Sequence, residues 1–185
     1  LCARWHARLR RRLDLAGLLS QPVLRTERLT LRPFATGDAV ALHRFLRDPA
    51  ATRYWSDPHR SFAESQAFVD GTIAGASAEV CDFVIEREGQ VIGKAGMWGR
   101  PEVGFFVLPE FQRMGYAREA LTAIVPHLFQ AYELDRLIAD VDPENAASIA
   151  LLKGLGFTIK GQRAQTIRIG GRWCDSLDMV LTRTE

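Results

Sequence analysis

Glu102-Val103-Gly104-Phe105-Phe106-Val107-Leu108-Pro109-Glu110-Phe111-Gln112-Arg113-Met114-Gly115-Tyr116-Ala117-Arg118-Glu119-Ala120 decides the architecture of this chain. Val103, Phe105, Phe106, Val107 and Leu108 make a short apolar run that Pro109 stops, which reads as a strand. Ala117, Leu121, Ile124, Val125, Leu128 and Tyr132 then recur on one helical face. Between them lies Gln112 to Ala117. A strand that enters a helix through a small-residue loop leaves backbone N–H groups open at the helix start. Those groups and the positive end of the helix dipole make an anion site. Gly115 and Ala117 let a bulky phosphate approach the backbone, and Arg113 and Arg118 bring cations to it. The same spacing also fits an ordinary strand–turn–helix with solvated arginines. Two familiar phosphate loops are excluded. No Gly-Lys-Ser/Thr follows, and only one of the three glycines of a dinucleotide fingerprint is present.

Upstream, Leu24 to Pro33 alternates as a strand with Leu29 and Leu31 on one side. Asp38 can cap a helix carrying Ala39, Leu42, Phe45 and Leu46 that stops before Pro49. Residues 48–60 read as a loop. Ser61-Phe62-Ala63-Glu64 is a capping-box pattern opening a second helix, with Phe62, Val69 and Ile73 at helical spacing. Glu79 to Arg87 and Gln90 to Trp98 are two strands joined at Glu88-Gly89, and Gly93 and Gly96 suggest close backbone approach or a bulge. Downstream, Pro126 lies inside the central helix, Leu137 to Val141 is a strand, and a short helix runs from Asn145 or Ala146 to Leu155. Phe157 to Ile169 and Trp173 to Thr182 form a last hairpin turning at Gly170-Gly171. Three strands in a row before the central helix favour an antiparallel meander over a βαβ series.

The chain has 185 residues, 47% hydrophobic and 25% charged, which predicts one soluble globular domain. Residues 1–20 hold Arg4, Arg8, Arg10, Arg11 and Arg12 against Asp14, so this arm carries +4 of a total of +2 and the rest is mildly acidic. That balance does not predict a nucleic-acid surface and suits a cationic amine. The boundaries expected are an Arg-rich arm over 1–22, disordered or loosely docked, and a domain over 23–185. An Arg-rich, acid-poor start also resembles an organelle presequence. Cys2, Cys81 and Cys174 are an odd number without metal spacing, which predicts no metal and a reducing, cytoplasmic setting. No apolar run approaches the roughly 18 residues of a membrane span.

Gln112 to Ala117 resembles the Gln/Arg-x-x-Gly-x-Gly/Ala motif of the GNAT superfamily of acyl-CoA-dependent N-acyltransferases. The strand at 102–112 resembles the branch that holds the ribosomal-protein N-terminal acetyltransferases. Thr26-Glu27-Arg28-Leu29-Thr30-Leu31-Arg32-Pro33 is similar to that branch's opening strand. Asp142-Pro143-Glu144-Asn145-Ala146-Ala147-Ser148, followed by Leu155-Gly156-Phe157, is similar to its later strand–helix–strand. Gly171-Arg172-Trp173-Cys174-Asp175 is similar to its final hairpin. The resemblance implies an α/β (α+β) fold in the order β-α-α-β-β-β-α-β-α-β-β. Its sheet is mixed, mostly antiparallel, twisted, and splayed around a central helix. It implies that pantetheine lies in the splay against Phe106, Val107 and Leu108, with the pyrophosphate on Gln112, Arg113, Met114, Gly115, Tyr116, Ala117 and Arg118.

Acetyl transfer to an amine needs a base, a donor for the developing oxyanion, an acid for the leaving thiolate, and alignment. The resemblance makes Glu102 the base, directly or through a water; an exposed strand-end Glu is the plain alternative. A backbone N–H near Val107 is the oxyanion donor. Many members place a Tyr in the later helix where this chain has Leu152; Ser148 is the substitute acid, sharing a helix face with Asn145 beside the pantetheine. Asn145 also fits a plain N-cap and Ser148 a solvent contact. Tyr54 and Trp55, with Glu102, either line the acceptor site or pack. The implied function is acetyl-CoA-dependent N-acetylation of a primary amine, on a protein N-terminus or a small molecule, by a monomer or homodimer without nucleic acid or membrane. The competing readings are a non-catalytic acyl-CoA-binding module and, through the arm, a nucleic-acid-binding protein.

Overall fold

The computed structural model describes residues 21–76 and 79–183, so residues 1–20 of the predicted 1–22 arm lie outside the described residues. The chain forms β1 (Leu24–Arg25), β2 (Thr30–Pro33), α1 (Ala39–Leu46), α2 (Pro49–Thr52), α3 (Phe62–Gly75), β3 (Cys81–Arg87) and β4 (Gln90–Gly99). It continues through β5 (Glu102–Val107), α4 (Tyr116–Ala131), β6 (Arg136–Val141), α5 (Ala146–Lys153), β7 (Thr158–Ile169) and β8 (Arg172–Thr182). One sheet takes all eight strands in the order β1-β2-β3-β4-β5-β6-β8-β7. Every neighbouring pair is antiparallel except β5–β6, which is parallel. This is the mixed, mostly antiparallel sheet that the resemblance implied, with the expected meander at β3–β4–β5.

Alternation along the strands sends successive side chains to opposite faces. Phe83, Ile85, Ala95 and Val107 pack with Leu121, Ile124 and Leu128 of α4. Val84 and Phe106 pack on the other face with Leu42, Phe45 and Leu46 of α1 and with Phe68 and Val69 of α3. Gly93 lies where backbones meet: an added Cβ would stand 2.2 Å from the Phe106 carbonyl oxygen of β5. On the second face, Lys94 Nζ bonds Asp82 Oδ2 at 2.7 Å, and both side chains are 2% exposed.

Four local expectations are corrected. The opening strand is split, because Thr26 N–H bonds the Leu29 carbonyl (3.0 Å) and folds a turn between β1 and β2. Asp38 does not cap α1 with its side chain. Its carboxylate is taken by Ala35 N–H (2.7 Å) and the Arg32 guanidinium (2.8 and 2.9 Å). The 48–60 stretch contains α2, capped by Asp48, whose carboxylate accepts Ala50 N–H at 2.8 Å. On α3, Phe62 and Ile73 are 45% and 38% exposed, and the buried stripe is Ser65, Phe68, Val69 and Thr72. Its two hydroxyls are tolerated because each has partners: Ser65 Oγ meets His43 Nδ1 and His59 Nδ1, and Thr72 bonds the Phe68 carbonyl. Among the described residues no helix is long and apolar enough to cross a membrane.

Candidate active site

The parallel pair β5–β6 is registered at Glu102↔Ile138 and no further. β5 stays paired with β4 through Val107, while β6 is paired with β8 through Val141. The two strands therefore part toward their C-terminal ends. Leu108 N–H donates to the Ile92 carbonyl of β4 (2.8 Å), so alternation turns Val107 N–H toward the β6 side, into the gap. The Val107 carbonyl accepts from Gln112 Nε2 at 2.9 Å. Gln112 thus braces the loop after β5 with its side chain.

That loop ends at Gly115, the N-cap of α4, with φ 83°. A glycine holds this left-handed conformation without a Cβ penalty, and it has no side chain with which to cap the helix. The first helical bond is Glu119 N–H to the Gly115 carbonyl (3.0 Å). The N–H groups of Tyr116, Ala117 and Arg118 precede it and meet no acceptor among the described residues. Arg113 is the uncommon non-glycine at positive φ, 62°. Arg113, Met114 and Arg118 are exposed. Arg118 reaches the carbonyl of Gly154, the C-cap of α5, at 3.5 Å. A cavity of about 440 Å³ opens beside this turn, bounded by Arg28, Gly115 and Arg118 among others. An uncapped helix start with flanking arginines fits a diphosphate.

Tyr116 offers its backbone only. Its ring is 5% exposed, under the Arg28 guanidinium at 4.5 Å. Arg28 also holds the Met114 carbonyl (3.1 Å) and Glu119 (2.7 Å), and Thr26 Oγ1 donates to Glu119 at 2.6 Å. Burial would raise the Glu119 carboxyl; these donors outweigh it and hold the carboxyl below its ordinary value. The opening strand therefore clamps the first turn of α4, a role that the sequence did not suggest.

A second cavity, about 380 Å³, lies where β5 begins, between the loop after α2 and the β7–β8 hairpin. Glu102, half-buried, and Tyr54 stand in its wall. Asp57 Oδ1 accepts Gly170 N–H at 2.6 Å and ties that loop to the hairpin turn. Trp55 packs elsewhere. Its ring meets Phe106 at 5.2 Å and Phe68 at 5.6 Å, beside a Phe45–Phe106 stack at 3.9 Å. Phe106 is thus a core residue whose backbone alone borders the strand edge, and Leu108 is likewise buried.

On α5, Asn145 Oδ1 accepts Ser148 N–H at 3.1 Å, so Asn145 is the N-cap. The Ser148 hydroxyl is half-buried and meets no hydrogen-bond partner among the described residues. Leu152 is fully buried in the core.

Sequence reasoning missed Asp140, Asp142 and Asp175, which join Glu102 in the cavity wall with Trp98 and Trp173. A signal existed. Asp140 lies on β6 and Asp142 just past its end at the same alternation, and the register at Ile138 puts them on the face that Glu102 occupies. Asp57 and these acids together outnumber Arg168, so the cavity attracts cations.

Comparisons with known proteins agree with this geometry. The sequence profile described as "Acetyltransferase (GNAT) domain" matches residues 28–158. The N-acetyltransferase p20 of Bacillus licheniformis, itself uncharacterized, is 30% identical over 173 residues, covering 88% of this chain and 97% of its own. The spermidine N-acetyltransferase of Vibrio cholerae, solved with CoA and spermine, superposes with a TM-score of 0.72 at 25% identity, covering 85% of this chain and 96% of that one. An acetyltransferase from Salmonella typhimurium that modifies the N-terminal serine of ribosomal protein L7/L12 superposes at 0.74 with 21% identity, covering 89% and 99%, a likeness of fold.

Proposed function

The chain belongs to the GNAT acetyltransferase family and is an acetyl-CoA-dependent N-acetyltransferase acting on amines, and on that premise we propose how its residues divide the work. Acetyl-CoA supplies the activated acetyl thioester. Tyr116, Ala117 and Arg118 N–H groups, with Arg113 and Arg118 side chains, hold the diphosphate; Gln112, Met114 and Gly115 shape that loop. The backbone of Phe106, Val107 and Leu108 borders the pantetheine, and Val107 N–H lies ready for the carbonyl oxygen. Glu102 removes the proton of the attacking amine, directly or through one water. Ser148, on the helix that Asn145 caps, donates to the departing sulfur. Tyr54 and Glu102 contact the acceptor.

The observation that supports this reading is that β5 runs from the acidic cavity to the gap between the strands. Its first residue, Glu102, stands in an acidic cavity, and its last, Val107, faces the gap between the strands. A panel of primary amines with acetyl-CoA, read by release of free thiol, tests it. Turnover with at least one amine is expected. CoA binding without turnover of any amine would favour a non-catalytic module.

Gly115→Val should raise the dissociation constant for acetyl-CoA at least about tenfold, since a branched Cβ is strained at positive φ and stands where the anion approaches. Calorimetry measures it; parental affinity would move the diphosphate elsewhere. We further propose that residues 23–185 are the catalytic domain and that the 1–22 arm lies outside it. Deleting residues 1–20 is then expected to leave kcat/KM nearly unchanged, and a large loss would place the arm at the site. A cytoplasmic setting is supported by Cys81 and Cys174, which are free thiols. Light scattering decides between monomer and homodimer.

A further inference from the structure

The acids of the acceptor cavity are not equivalent. Asp57 holds the Gly170 N–H, Asp140 is engaged by Arg163 at 3.1 Å, and Asp175 Oδ1 accepts Gln165 N–H at 3.0 Å. Asp142 differs. It is 8% exposed, its Oδ1 accepts Glu144 N–H at 2.8 Å, and its Oδ2 is buried without a hydrogen bond among the described residues. The nearest cation, Arg172 Nη2, stands 3.7 Å away, beyond hydrogen-bond reach, while Arg172 Nη1 is turned to Glu144 at 3.3 Å. The neighbouring Cys174 thiol, pushed up mainly by burial, is a weak donor. A buried carboxylate oxygen left this way is unfavourable until a donor arrives. Asp142 lines the cavity, so the donor can come from a bound molecule.

We propose that Asp142 Oδ2 receives a second cationic group of the acceptor, so that this enzyme acetylates small amines carrying at least two separated ammonium groups. The proposal rests on the acetyl-transfer reading above. One amine stands at Glu102 and reacts; the other stays charged at Asp142. Glu102 opens β5 and Asp142 directly follows the last residue of the neighbouring β6, both in the wall of this cavity, which separates the two amines along the direction of β6. Trp98 and Trp173 supply apolar walls for the linking methylenes and ring faces for a cation. A cavity of about 380 Å³ suits a small molecule, toward the lower end of ligand pockets. A protein N-terminus brings one ammonium followed by neutral amides and leaves Asp142 Oδ2 as it is.

The test compares α,ω-diamines with amino alcohols of equal chain length, the second ammonium being replaced by a hydroxyl. For the parent enzyme, kcat/KM for the diamine should exceed that for the amino alcohol at least about tenfold. This comparison does not depend on any variant folding. In Asp142→Asn the ratio should fall toward one, through KM for the diamine, with acetyl-CoA KM unmoved. Equal use of both series by the parent overturns the proposal, as does a stronger preference for peptides with a neutral tail. An Asp142→Asn variant that slows both series equally also overturns it. Absence of thiol release with every amine would instead defeat the acetyl-transfer reading itself.

Discussion

Glu102→Gln is expected to lower kcat by about 10²–10⁴-fold at neutral pH, the usual worth of a positioned general base, while acetyl-CoA binds as before. The substitution keeps the shape of the side chain and removes its basicity. An α-amine has a reference pKa of about 8 and an alkyl amine like that of Lys about 10.4, so either acceptor is largely protonated near pH 7. The amine must lose a proton as the C–N bond forms, and Glu102 is the carboxylate that opens β5 in the wall of the acidic cavity. The defect should therefore shrink as pH rises, because solvent then supplies more neutral amine. Steady-state rates from pH 6.5 to 9.5 measure it. Parental kcat at neutral pH would remove Glu102 from the chemistry and leave positioning and the Val107 N–H as the main contributors.

Lys94→Met is expected to destabilise the fold by about 3–5 kcal/mol, the range for stranding one charge of a buried pair. Lys94 and Asp82 are each 2% exposed and meet at 2.7 Å through Asp82 Oδ2, while Asp82 Oδ1 is buried without a side-chain partner among the described residues. Burial pushes the Asp82 carboxyl up, and Lys94 pulls it back by charge and hydrogen bond. Without Lys94 the upward push of burial is opposed only by the Phe83 backbone N–H, so the folded variant holds a proton that the unfolded chain releases. A carboxyl raised in the folded state stabilises it below the unfolded pKa and loses that contribution as pH rises through the folded pKa. The variant should thus be weaker at pH 8 than at pH 5, by urea denaturation at both. A double change, Lys94→Met with Asp82→Leu, should recover much of the loss. If the single variant matches the parent at pH 8, the pair contributes nothing to the fold.

The two effects separate cleanly. Glu102 stands in a cavity wall and is expected to alter rate; Lys94 lies under the second core and is expected to alter stability. The Lys94 ammonium is also 5.9 Å from the Trp55 ring, within the aromatic cluster that backs β5. Asp82 and Lys94 thus anchor β3 to β4 on the face that supports Phe106.

Within the described residues, the order of elements after the arm was legible because each signal is local. Apolar period, a Pro after a strand, a Gly before a helix and two-residue turns act over a few residues, and β5, α4 and the Gly170-Gly171 hairpin followed them. The open helix start at Gly115 was legible for the same reason, since cap geometry belongs to one turn. What tertiary structure alone decided depends on which strands pair and in what register. The Glu102↔Ile138 register brings Asp140 and Asp142 to the face of Glu102, and the β7–β8 hairpin folds Asp175 and Trp173 against them. Trp55 and Tyr54 are sequence neighbours with the same composition signal, yet one entered the aromatic core and the other the cavity wall. Asp38 could have capped a helix, but Arg32 from the neighbouring strand claimed it. Long-range pairing chooses among partners that local sequence leaves equal, because the energy of a buried charge or ring is set by what surrounds it in space.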